Sequence, residues 1–106
     1  MPFRLTKKAL EDLRSIAMYT ENTWGRDQRN TYLSKLDASF HTIAREPQIG
    51  MACDDIRRGY RKYRVGRHLI FYRHTGIQID IIRILHDRMD VETHLIEEKM
   101  HGEEDD

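Results

Sequence analysis

The sequence predicts an α+β fold in which a helical hairpin packs on one face of a mostly antiparallel sheet. Three observations predict it. Apolar residues recur at steps of three and four from Ala9 to Ala44, with one interruption at Gly25. Past Gly50 the period changes to runs of β-branched and aromatic residues, and two pairs with hairpin character, Val65-Gly66 and Thr75-Gly76, separate those runs.

The elements follow in order. "PFRLT" is a short extended segment closed by Thr6, a residue type suited to capping a helix N-terminus. Ala9, Leu13, Ile16, Ala17, Thr20 and Trp24 then share one helical face, widened at its edge by Tyr19, and Gly25 ends the helix. A second helix starts near Arg26, with Asp27 in its first turn where the dipole favours an acid. Its apolar stripe is Leu33, Leu36, Phe40, Ile43 and Ala44, and Pro47 and Gly50 stop it. Two helices of roughly eighteen to twenty residues joined so tightly fold back as an antiparallel hairpin.

Three strands in a meander are expected next: "GYRKYRV", "RHLIFYRH" and "IQIDIIRIL". The first alternates poorly, because Tyr60 and Tyr63 cannot share a face at period two, and a bulge or strong twist is expected there. The last is apolar on both faces, with Ile79, Ile81 and Leu85 pointing one way and Ile82 and Ile84 the other, so it lies inside the sheet. The hairpin covers only one face, and the other is expected to await a partner. "VETHLIEEKM" can continue as a short C-terminal helix through Val91, Leu95 and Ile96. A single domain over 1–98 and an acidic tail over 99–106, expected to be disordered, complete the organisation.

Composition narrows the function classes. A chain of 106 residues buries roughly two-thirds of its unfolded surface in one core. No apolar run approaches the roughly 18 residues of a membrane span and the N-terminus lacks a signal-peptide core, so a cytoplasmic protein without membrane contact is expected. Cys53 is the only cysteine, which rules out an internal disulfide and a C-x-x-C site. The zero net charge hides an asymmetry. Arg57 to His74 holds seven Lys or Arg and no acid, whereas Asp90 onward holds eight acids against Lys99 alone. An anionic partner for the first surface and a solvated tail for the second are the readings this pattern supports.

Candidate chemistry centres on "IDIIRILHDRMD", Ile79 to Asp90. His86, with His68 on the neighbouring strand and Arg61, Arg64, Arg73 or Arg83, supplies the residue types that RNA cleavage through a 2′-hydroxyl needs. The interleaved basic and tyrosine residues of "RRGYRKYR" suit contact with single-stranded nucleic acid, or a solvated sheet face with its rings packed inward. His86, Asp90 and His94 recur at steps of four, but His86 ends a strand pattern, so no metal or other cofactor is expected. Arg83, between Ile82 and Ile84, needs a carboxylate such as Asp80 or Asp87, a path to water, or a partner's acid.

These stretches together resemble a known family. "LTKKALEDLRSIAMYTENTWG", "REPQIGMACDDIRRGYRKYRVGRHLIFYR" and "IIRILHDRMD" are similar to the ParE branch of the RelE/ParE toxin superfamily, over Leu5 to about Leu95. The resemblance implies a RelE/ParE-like β-α-α-β-β-β fold. It also implies the toxin half of a type II ParD-ParE toxin-antitoxin pair, acting on DNA gyrase to block replication and neutralised by a ParD-type antitoxin in a hetero-oligomer. No direct DNA binding is expected without the antitoxin. Arg83, His86, Arg88, Met89 and Asp90 are the expected target-facing residues. Leu13, Tyr19, Leu36, Phe40, Arg58, Arg61, Arg64 and Tyr72 are the expected antitoxin contacts. RelE-type relatives instead cut messenger RNA on the ribosome. Against that alternative, Asp87 follows His86 where a tyrosine would stand, and no glutamate lies between Pro47 and Asp90, so catalytic residues are not expected.

Overall fold

Thr6 turns the chain from strand to helix. In the computed structural model, which describes residues 1–88, strand β1 (Phe3–Leu5) stops at this residue and α1 (Lys7–Trp24) begins. The Thr6 hydroxyl accepts the Ala9 N–H at 3.1 Å and donates to the Ile82 carbonyl at 2.8 Å, so one side chain caps the helix and pins it to the last strand. Gly25, with φ 96°, makes the reversal into α2 (Arg26–Arg45) that a side chain would resist. Strands β2 (Met51–Ala52), β3 (Tyr60–Val65), β4 (His68–His74) and β5 (Ile79–His86) follow.

The sheet order is β1-β5-β4-β3-β2. The three-strand meander is present as expected, β1 adds a parallel edge to β5, and β2 is a short edge strand that the sequence pattern did not suggest. Both helices pack on one face. Ala9, Ile16, Leu36, Phe40 and Ile43 meet Ile70, Tyr72, Ile79, Ile81 and Ile84 there. Thr20 fits this buried stripe because its hydroxyl donates to the Ile16 carbonyl at 2.7 Å. Trp24, expected on the same stripe, is 69% exposed, since the stripe loses its cover after Thr20.

The strands depart from expectation in two places: β3 has no bulge, and a bulge opposite β4 changes the facing of β5. β3 pairs with β4 without a shift from Tyr60 to Val65, and Tyr60 and Tyr63 simply serve opposite faces. The irregularity lies between β4 and β5 instead: Phe71 faces Arg83 while Tyr72 faces Ile81, leaving Ile82 as the extra residue. An inserted residue reverses the facing of everything after it. Ile84 therefore joins Ile79 and Ile81 beneath the helices, and Leu85 joins Ile82 on the reverse face.

That reverse face is not open either. Cys53, Tyr60, Phe71, Ile82 and Leu85 form a second buried cluster, with Ile56 and Leu69 packed against it. The chain buries its own sheet on both sides, and the expected uncovered face is corrected accordingly. Between the layers, Tyr72 is fully buried; its hydroxyl accepts the Gly50 N–H at 2.9 Å and donates to the Pro47 carbonyl at 2.8 Å, tying the end of the α2 loop to β4. Among the described residues no helix is long and apolar enough to cross a membrane. The expected C-terminal helix and acidic tail lie outside the described residues.

Candidate functional site at the end of β5

The charges among the isoleucines of β5 find their partners residue by residue. Arg83 is buried, and its partner is neither Asp80 nor Asp87 but Asp12 of α1. Its Nε and Nη2 donate to the two Asp12 oxygens at 2.8 and 3.0 Å, the forked geometry that favours arginine, and the Ile84 N–H donates to Asp12 at 2.9 Å. This carboxylate joins the helical layer to the central strands. It was legible in principle, because Asp12 stands three after Ala9 and four before Ile16, an acid on a buried stripe.

Beyond Arg83, β5 delivers His86 beside a polar cluster. His68 is its direct cross-strand partner, and the two rings meet edge to face with centroids 5.4 Å apart. The hydroxyl of Tyr32 on α2 lies 3.0 Å from the Val65 carbonyl and 2.6 Å from His68 Nδ1. The phenol has one proton for these two contacts, so the His68 tautomer decides whether Tyr32 donates to Nδ1 or accepts from it. Burial, and then the proximity of His86, hold the His68 pKa below the ordinary imidazole value. Burial likewise raises the Tyr32 phenol, against a hydrogen bond from the Arg67 backbone.

Asp87 organises the other side. Its Oδ2 lies 3.1 Å from Arg64 and 3.4 Å from Arg67, and its N–H donates to the Arg67 carbonyl at 2.9 Å. The Arg64 hydrogen bond, supported by Arg67 and His86, keeps its carboxyl below the usual carboxylate range against the effect of burial. Arg88 is exposed, and its N–H donates to His86 Nδ1 at 3.1 Å. Met89 and Asp90, expected beside it, lie outside the described residues. Tyr32 is the residue that sequence reasoning missed; it comes from α2, more than fifty positions from His86, with only its place beside Leu33 to suggest it.

The expected antitoxin contacts divide by burial. Leu36, Phe40 and Tyr72 face the interior of this chain. Leu13 packs at the margin of the core, and Tyr19 is exposed on α1 beside Met18. Arg58 is exposed, Arg64 reaches Asp87, and Arg61 donates to the Gly50 carbonyl at 2.7 Å.

A second charged group anchors the opposite end of β5. Asp80, almost fully buried, receives Arg4 Nε at 2.8 Å, Gln78 at 2.9 Å and Arg73 at 3.3 Å. Burial pushes its pKa up, but the hydrogen bonds from Arg4, Gln78 and Arg73 together outweigh it and leave the carboxyl below its ordinary value. A depressed folded-state pKa contributes stability above the unfolded value of about 3.9 and loses it as the pH falls through the folded one. The expected result is that Asp80→Asn lowers stability at pH 7 and flattens the acid limb below about pH 5 in urea titrations. An acid limb of unchanged slope would assign that limb to other carboxylates.

Comparison with known proteins gives these residues their context. The family described as the ParE toxin of the type II toxin-antitoxin system, parDE, matches residues 3–91. A Toxin ParE1 from Mycobacterium tuberculosis is 45% identical over 94 residues, which cover 88% of this chain and 96% of the relative. A Toxin ParE1 from Caulobacter vibrioides is 39% identical over 94 residues, 89% of this chain and 97% of the relative. Among solved structures, the chromosomal ParDE TA system from P. aeruginosa shares the fold, with a TM-score of 0.70 over 81% of this chain and 95% of that one at 19% identity. The β-α-α-β-β-β architecture and these relatives define a toxin of the type II toxin-antitoxin class. Within it, the chain belongs to the ParE toxin family.

Proposed function

We propose that this toxin acts on DNA gyrase, trapping it on cleaved DNA and so blocking replication, and that a ParD-type antitoxin neutralises it. The observation that carries the reading is the family match over residues 3–91, which includes the end of β5 and its charged exit. His86, Arg88, Met89 and Asp90 form the target-facing segment, and Arg83 on β5 is held by Asp12. The antitoxin engages Leu13 and Tyr19 on α1, Arg58 in the turn before β3, and Arg61 and Arg64 on β3, as a helix laid on the hairpin followed by extended chain.

One observation favours a second reading. Tyr32 and His68 supply, beside His86, the kind of acid/base groups that cleavage of messenger RNA on the ribosome would use. Against it, Arg64 and Arg67 are already engaged by the Asp87 carboxylate, so a phosphate placed there would meet one net positive charge rather than two. Purified protein added to gyrase with supercoiled plasmid should yield gyrase-dependent cleaved DNA, with a reporter message on translating ribosomes left intact. Arg88→Glu should weaken the gyrase effect by about tenfold or more through charge reversal at the contact, with antitoxin binding retained. Message cut at the ribosomal A site with gyrase unaffected would overturn the reading.

A further inference from the structure

The Nδ1 atom of His86 has two neighbours that require opposite proton states. The Arg88 N–H donates to it at 3.1 Å, which needs a bare lone pair. Asp87 Oδ1 lies 3.3 Å away, buried and without a hydrogen-bond partner among the described residues, and it needs a donor. One ring nitrogen cannot serve both at once. Nor can Asp87 turn away, since its N–H is bonded to Arg67 and its Oδ2 faces Arg64 and Arg67. The carboxylate is a fixed acceptor, and the proton on the ring decides which contact forms.

We propose that His86 is a proton-controlled positioning residue for the segment leaving β5: neutral, it holds the Arg88 amide; protonated, it donates to Asp87 Oδ1 and releases that amide. The charged and titratable groups around it fit this role. On β4, His68 meets the ring directly, and behind it stands Tyr32 of α2. Arg64 of β3 and Arg67 of the following turn approach Asp87 through its other oxygen, leaving Oδ1 to the imidazole. Asp12 of α1 acts on His68 from beneath and is itself paired with Arg83. Burial and the proximity of His86 lower the His68 pKa, against Asp87 and Asp12, which raise it. Deprotonated, the ring faces Asp87 Oδ1 with a lone pair; protonated, it satisfies that oxygen, and the exposed Arg88 amide passes to water. The link to activity rests on the proposed target-facing role of Arg88.

The test follows the full-length chain by NMR between about pH 8 and pH 5, the range in which imidazoles titrate. Expected is a neutral His86 with its proton on Nε2, and an Arg88 amide resonance that moves along the same curve as the His86 ring. His86→Asn, whose amide oxygen can stand in for Nδ1 but cannot be protonated, should hold the Arg88 amide independent of pH. In Asp87→Asn the Arg88 amide should still follow the ring, with the joint transition displaced to lower pH because the carboxylate that receives the ring proton is gone. A neutral His86 carrying its proton on Nδ1, or an Arg88 amide that still titrates in His86→Asn, would overturn the proposal. In gyrase assays the ratio of wild-type to His86→Asn potency should change about threefold to tenfold across the same range, the scale of one exchanged hydrogen bond. If the NMR coupling holds while neither protein affects gyrase, positioning stands and the target assignment falls.

Discussion

Asp12→Ala should destabilise the fold by about 3 kcal/mol or more, the scale seen when one member of a buried ion pair is removed. The magnitude follows from what the carboxylate does: it neutralises a buried guanidinium through two hydrogen bonds and accepts the Ile84 N–H of β5. For a domain of this size the melting temperature should fall by about 12 °C or more. Replacing both members, Asp12→Leu with Arg83→Met, should recover most of the loss, because buried pairs tolerate apolar replacement better than halving. About 1 kcal/mol should remain missing, from the Ile84 N–H left without its acceptor. Equal losses in the single and double variants would mean that helix packing, rather than charge, sets the effect.

Gly50→Ala is expected to cost about 3 kcal/mol although it adds one methyl group, because two conflicts of about 1–3 kcal/mol each meet at that methyl. A Cβ there would sit 2.5 Å from the Tyr72 hydroxyl and 2.8 Å from the Lys62 carbonyl. The first conflict displaces a buried hydroxyl from its bonds to Gly50 and Pro47, at about 1–3 kcal/mol. The second is with backbone, which can yield only by moving β3, at about 1–3 kcal/mol for overpacking. Tyr72→Phe removes only the hydroxyl conflict, because the ring carbon Cε1, 2.8 Å from that Cβ, stays in place. Gly50→Ala should therefore remain destabilising when combined with Tyr72→Phe, through the ring and the backbone, as urea midpoints would report. Full additivity of the two substitutions would contradict a shared site.

Helices, caps and the meander were legible because their periods are local: Thr6, Gly25 and the two apolar stripes specify the hairpin without knowledge of the sheet. The facing of β5 was not, since alternation carries no mark of the extra residue at Ile82, which arises from its register with Phe71 and Tyr72. The reverse-face cluster was missed for a related reason: Cys53 and Ile56 lie in a connection with no period of its own. At the candidate site, the sequence pointed to His86 and Arg83 as charge at the end of an apolar run. Their partners Asp12 and Tyr32 belong to helices distant in sequence, so only the fold pairs them.

The parallel pairing of β1 with β5 has a consequence for synthesis. Phe3 aligns with Ile79, so the first strand has no place to dock until 76 further residues have been added. At the usual rate of about 5–20 residues per second, the N-terminal strand waits about 4–15 s for its neighbour. The Asp12–Arg83 pair, which closes across nearly the same separation, waits with it. The nascent chain therefore has no assembled β5 terminus until residues 79–86 have been added.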